Sequence, residues 1–278
     1  MAVAGLFGAS QPFDASCALV SSPFLSPAWL AGVRLVLAFY MTFTLLFVLI
    51  WEITRTHNAN QFFSFFTELT GIGLAAYLWQ SGSQTAIYAL RSRRAAATGV
   101  VSKPLYPLQS WPKTLQVLHM ILLASIRTFP ILVTIVFWTL LASAHSLRNT
   151  FLRYNNVSLH TINTLCALFE IFGTNTPLAT WFTLVPLSII LCGYLGVAYI
   201  THATQGFYPY AFLDPEKGSA KLAGYIIGIA VAEIIIFSLV QGLVWLRTRL
   251  LRKRTTDGKV ANMVQLKESD HELGQRAA

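Results

Sequence analysis

After residue 28 the chain is built from long, mostly apolar stretches that recur almost to its end, a pattern few water-soluble folds tolerate. The stretches cover residues 28–51, 62–79, 115–143, 157–173, 181–200 and 222–246. A bilayer core takes about 20 apolar residues per crossing helix, and only helices or closed barrels satisfy their backbone groups in lipid. The pattern predicts an all-α, polytopic transmembrane helix bundle of six spans. Composition agrees, with 55% of the 278 residues apolar and 11% charged, against about 25% charged in soluble domains. No room is left for a separate soluble domain. A segment 1–27 precedes the bundle of 28–250, and a polar tail, 251–278, is expected to be disordered.

Local signals refine these bounds. Ser26-Pro27 reads as a helix start, with serine capping and proline at the first helical position. The second span can continue through the QSGSQ interruption to Leu90, whereas Pro104 and Pro107 argue against continuous helix in the basic segment that follows. Pro130 predicts a kink in the third span. Gly224 and Gly228 form a GxxxG, expected to be a packing surface. The N-terminus lacks the basic start of a signal peptide and is expected to be retained.

Six spans put both termini on one side of the membrane. That side carries Arg91, Arg93, Arg94, Lys103 and Lys113, together with Arg247, Arg249, Arg252, Lys253 and Arg254. The other side has only Arg55, Arg148, Arg153, Lys217 and Lys221, so the positive-inside rule predicts cytoplasmic termini. The net charge of +9 lies mostly beside apolar spans, where it meets anionic lipid headgroups; nucleic acid is not an expected partner. Cys17, Cys166 and Cys192 have no close spacing, and no metal site or cofactor is indicated. Asn156-Val157-Ser158 is a glycosylation sequon on the non-cytoplasmic side, or simply a helix cap.

An ionisable side chain inside a span costs at least about 2.5–3.5 kcal/mol unless it is paired or reaches water. Arg34, His119 and Glu170 lie near cytoplasmic ends and read as snorkelling side chains. Arg127 lies deeper and calls for a carboxylate, with Glu233 and Glu68 equally eligible. Thr67 falls about 8 Å into the second span at 1.5 Å per residue. His160 enters from the same side on the fourth, and His202 leaves there at the end of the fifth. Ser64, Thr67, Thr70, Gly71 and Leu74 form a polar or small stripe, as do His160, Asn163, Thr164 and Ala167, so two inward stripes open at one depth. Each residue also has an inert reading: Thr67 bonding the Phe63 carbonyl a turn back, and the histidines serving as interhelical partners.

At these residues the chain resembles the androgen-induced gene family of multispanning membrane proteins, fungal members above all. The pieces that carry the resemblance are FFTELT at 65–70, RTFPILVTIVFW at 127–138, NVSLHTINTLCALFEIF at 156–172 and THATQGFYPYAFLDP at 201–215. With the spacing of the spans it covers about residues 30 to 250. The resemblance implies a threonine-dependent hydrolase of fatty acid esters of hydroxy fatty acids or similar lipid esters. Thr67 takes the place of the nucleophile, His160 that of the essential histidine, and His202 that of a further histidine. Ala203 and Ala211 stand where animal members have histidine and proline, a departure that bears on substrate preference.

In that chemistry an imidazole with an ordinary pKa near 6.5 takes the threonine proton and returns it to the leaving alkoxide. Asn163, Ser64 or Tyr208 are candidate oxyanion donors, while Glu68, next to Thr67, points about 100° away on a helix. The expected partners are membrane lipids and a lipid ester substrate, in an endomembrane such as the endoplasmic reticulum rather than the plasma membrane. Two other readings stay open: a noncatalytic lipid-binding or assembly protein, and a small-solute or proton transporter.

Overall fold

The computed structural model of the protein describes residues 2–99 and 105–252, apart from the side chains of Ala2, Ala144 and His145. The expectations placed on Lys103, Pro104 and the tail beyond Arg252 lie outside these residues. The described chain is helical throughout and contains no strand. Its six long helices are α1 (Pro27–Thr56), α2 (Phe66–Ala97), α3 (Lys113–Leu141), α4 (150–172), α5 (Trp181–Gln205) and α6 (Ser219–Arg252). Among the described residues, α1, α3, α5 and α6 are long and apolar enough to cross a membrane. This is an all-α membrane protein.

Helix starts follow the local chemistry. Ser26 caps α1, its hydroxyl accepting the Trp29 N–H, and Pro27 takes the first position. Pro107 likewise opens a short helix, Pro107–Ser110, between α2 and α3. The helix of α4 begins at Thr150, earlier than hydropathy suggests, because the Asn149 side chain accepts the Leu152 N–H at 2.8 Å. Asn156 of the sequon lies inside this helix, its amide donating to the Ser146 carbonyl at 2.8 Å. The α3 helix runs through Pro130.

The second helix is unbroken across QSGSQ, with Ser81, Gly82 and Gln84 buried in the bundle and Ser83 exposed. A Cβ on Gly82 would come within 3.0 Å of Leu35 Cδ2, so the glycine lets α1 and α2 touch. Gln84 accepts the Leu108 N–H at 3.0 Å.

Thr85 donates to the Ser81 carbonyl and belongs to the main correction to the sequence reading. Arg34 and Glu170 do not snorkel; they form a fully buried ion pair, Arg34 Nε and Nη2 each 2.8 Å from a carboxylate oxygen. The remaining valences are filled. Arg34 Nη1 donates to the Leu19 carbonyl at 2.9 Å and to Thr85 at 2.8 Å, and the Tyr77 hydroxyl donates to Glu170 at 3.0 Å. His119 is also buried, its ring stacked near that of Tyr77. Desolvating two charges costs several kcal/mol each, and only such bidentate, fully bonded geometry repays it.

The N-terminal segment completes this end of the bundle. Asp14 accepts the N–H groups of Ala18 and Leu19 and the Tyr106 hydroxyl, at 2.8, 3.0 and 2.6 Å, which sets the Leu19 carbonyl that Arg34 uses. Ser22 donates to the Gly173 carbonyl at 2.6 Å, tying the segment to the α4–α5 connection.

Arg127 finds neither carboxylate proposed for it. It is buried and donates to the Pro177 carbonyl at 3.1 Å, while Glu233 accepts from Ser188 at 3.1 Å. A backbone carbonyl therefore does the work expected of an acid, and Arg247 is held likewise, by the carbonyls of Ile171 at the end of α4 and Thr176 in the α4–α5 connection. The GxxxG is corrected as well: among the described residues nothing lies within 4 Å of a Cβ built on Gly224 or Gly228, so neither glycine is a packing surface there. One apolar core joins the N-terminal segment to α1, α2 and α3; a second joins α3, α5 and α6 and takes in Phe66 at the start of α2. Thr85 lies 18 residues along α2 from Thr67, about 27 Å at the helical rise. The ion pair and the first turn of α2 thus sit at opposite ends of the bundle.

Candidate functional site

The site begins where α2 begins. Ala59–Ser64 is a 3₁₀ helix, Phe65 is extended at φ −100° and ψ 138°, and the α-helix starts only at Phe66. Thr67 therefore occupies the first turn. No α-helical turn precedes it, and its expected bond to the Phe63 carbonyl is not made. The first N–H groups of an α-helix have no intrahelical acceptor. Here that of Phe66 donates to the Tyr210 hydroxyl at 3.2 Å, so a phenol from the α5–α6 connection does what a capping side chain usually does. The hydroxyls of Thr67 and Tyr194 lie beside this phenol. Tyr194 in turn donates to the Ser64 carbonyl at 3.0 Å. Burial first, and the charge of Glu68 second, push the Tyr210 phenol up to about 12, which keeps its proton in place at neutral pH.

His160 comes from the π-helical turn Val157–Ile162 in the middle of α4. Such turns break the regular helical register and recur at functional sites. The neighbouring turn is fastened to α3: Thr134 donates to the His160 carbonyl, Thr134 and Thr164 share a hydroxyl bond of 2.6 Å, and Thr164 donates to the Pro130 carbonyl at 2.9 Å. The imidazole itself lies flat on Phe137, ring centres 3.7 Å apart and planes 7° from parallel. Its Nδ1 has no hydrogen-bond partner among the described residues, although the residue is only 6% exposed. An unmet buried polar atom costs about 1–3 kcal/mol, so it calls for an explanation.

Thr67 and His160 line one cavity of about 120 Å³, walled by α3, α5, α6 and the α5–α6 connection. Of its lining, only Thr67, His160, Cys192, Tyr194 and Tyr210 have polar side-chain atoms; the rest is aliphatic or phenylalanine. Cys192 is exposed on α5, and Ile226, Ile229 and Ala230 on α6 are partly exposed, so the cavity opens on the outer surface between these two helices.

The other residues singled out from sequence lie elsewhere. Ser64 is buried, its hydroxyl accepting from Thr201 at 3.1 Å. Asn163 is buried a turn beyond His160 and donates to the Leu159 carbonyl at 3.1 Å, its Oδ1 unpartnered. Glu68 is buried with Oε2 unpartnered and does not line the cavity. His202 is exposed, stacked on Tyr208 with ring centres 3.9 Å apart, and both line a separate surface hollow with Asp214, Glu216 and Lys217. The layer expected from three helices is built from two, plus the α5–α6 connection. Tyr210 was missed by sequence reasoning. It flanks Pro209 on one side as Tyr208 does on the other, and only the fold decides which of the two turns inward.

Comparison with protein-family models, curated proteins and solved structures finds no match for the chain.

Proposed function

We propose that this chain is an integral membrane hydrolase of lipid carboxylic esters, related to the androgen-induced gene family, with six spans and both termini cytoplasmic. Thr67 is the nucleophile and His160 the base. The observation that carries this reading is the shared cavity: a hydroxyl in a helix first turn and an unpartnered imidazole nitrogen open on one apolar space. An aliphatic chain fits that lining, and its ester then lies at the polar wall.

The chemistry is acyl transfer. Thr67 Oγ bonds the ester carbon as its proton passes to His160; the adduct collapses, and the C–O bond to the alcohol breaks as His160 returns the proton to the leaving oxygen. Water then repeats the sequence on the acyl-threonine and frees the acid. The positive end of the α2 dipole lies beside the atoms where negative charge develops. The absence of a hydrogen bond between Thr67 and His160 suits a site awaiting substrate, since catalytic contacts often tighten only on binding.

One observation favours a noncatalytic lipid-binding protein: the Thr67 hydroxyl lies beside Tyr210 and is not bonded to His160. Ester turnover by the purified protein, measured on the wild type, Thr67→Ala and His160→Ala with folding checked, separates the two. Hydrolysis requires activity lost in both variants; lipid binding alone requires no turnover in any of the three.

A further inference from the structure

Tyr210 has a bland explanation. Its oxygen caps α2 through the Phe66 N–H, and a capping group is worth about 1 kcal/mol. That account leaves two features unused. Capping requires only an acceptor, yet the phenol also lies beside the Thr67 hydroxyl and lines the same cavity as His160. It is also backed by a second tyrosine: Tyr194 donates to the Ser64 carbonyl at 3.0 Å, lines the same cavity, and has its ring centre 6.1 Å from that of Tyr210.

We infer that Tyr210 is a catalytic residue of the acyl transfer, donating its phenolic proton as a hydrogen bond to the oxyanion of the tetrahedral adduct. The inference rests on the proposed nucleophilic role of Thr67. When Thr67 loses its proton to His160 and bonds the ester carbon, the electron pair of the carbonyl double bond moves to oxygen. That oxygen sits on the same carbon as Thr67 Oγ, within reach of a donor already beside Oγ. The Tyr210 hydroxyl turns to the new anion, while the Phe66 N–H, donating to the phenol oxygen, strengthens it as a donor. No proton is transferred from Tyr210, which starts and ends the cycle as a phenol. Asn163, Ser64 and Tyr208, the donors suggested by sequence proximity, do not line the cavity, whereas Tyr210 does.

The test uses the full-length protein in detergent with two probes, a long-chain p-nitrophenyl ester and a long-chain alkyl ester. Removing one oxyanion donor lowers kcat by about 10²–10³-fold, and KM is expected to stay nearly constant. Tyr210→Phe is expected to show that loss on both esters. Loss confined to the alkyl ester, whose leaving group needs a proton, would instead assign Tyr210 to leaving-group protonation and overturn the inference, as would an unchanged kcat. Should Tyr210→Phe fail to fold, 3,5-difluorotyrosine at 210 keeps the hydroxyl and its cap while making it more acidic. An altered kcat at an unchanged unfolding temperature then supports the role, and an unaltered kcat rejects it. Thr67→Ala is assayed in parallel. Turnover surviving there sinks the Thr67 reading itself, whereas a dead Thr67→Ala beside a fully active Tyr210→Phe sinks only the role of Tyr210.

Discussion

The backbone N–H of Phe66 donates to the hydroxyl of Tyr210 at 3.2 Å, which fixes the start of α2 against the α5–α6 connection. That bond puts Thr67 on the wall of the cavity and not inside a continuous helix. His160 then faces the same space from α4 with Nδ1 free of any partner among the described residues. The site therefore depends on two irregularities, a helix that starts late and a π turn that breaks a helical register.

The Tyr210 phenol ionises near 10 in an unfolded chain and near about 12 in the folded protein. The sign follows from linkage: the folded state holds the proton more tightly, so its contribution to stability is complete below about pH 10 and is lost as pH rises toward 12. Unfolding temperature, followed in detergent from neutral pH upward, is expected to fall over that window. Tyr210→Phe should flatten that part of the decline, and an identical decline in the variant would refute the assignment.

The buried pair at the other end of the bundle makes a separate prediction. Arg34→Met leaves Glu170 charged and without its bidentate partner, at an expected cost of about 3–5 kcal/mol. The double variant Arg34→Met, Glu170→Leu should recover most of that loss. Chemical denaturation of the three proteins measures it. A single variant as stable as the wild type would show that the pair is not structural.

Glycines divide into two kinds. Gly82→Ala forces Leu35 or Arg34 to move, because a Cβ would sit 3.0 Å from Leu35 Cδ2 and 3.3 Å from Arg34 Cβ, and is expected to cost about 1–3 kcal/mol. Gly224→Ala and Gly228→Ala meet no atom of the described residues and should stay within about 0.5 kcal/mol. Equal effects at the three sites, read from unfolding temperatures, would contradict the packing described for α1 and α2.

Much of this was legible in the sequence, for reasons tied to particular residues. Apolar runs long enough for a bilayer are a strong one-dimensional signal, and Ser26-Pro27 announces its helix through local chemistry alone. The polar stripes holding Thr67 and His160 were visible too, because helical spacing carries that information. What the pattern did not give is which polar side chains bond one another. Arg34 with Glu170, Arg127 with Pro177 and Tyr210 with Phe66 are separated by 136, 50 and 144 residues respectively. Nothing in the local pattern encodes such meetings. The depth estimate for Thr67 erred because it assumed α-helix from Phe62, whereas Ala59–Ser64 is 3₁₀ and Phe65 is extended. His202 lies in the last turn of α5, where the sequence put it, but its side chain is exposed.

The central claim is that the Thr67 hydroxyl becomes a nucleophile through His160. Fluorophosphonate labelling of the purified protein, with the modified peptide located by mass spectrometry, tests this most directly. The account predicts a phosphonate on Thr67 in the wild type, none in Thr67→Ala, and a labelling rate at least about 10²-fold lower in folded His160→Ala, the range general-base loss produces. Labelling of His160→Ala at the wild-type rate, or ester turnover by a protein whose Thr67 never reacts, would contradict it.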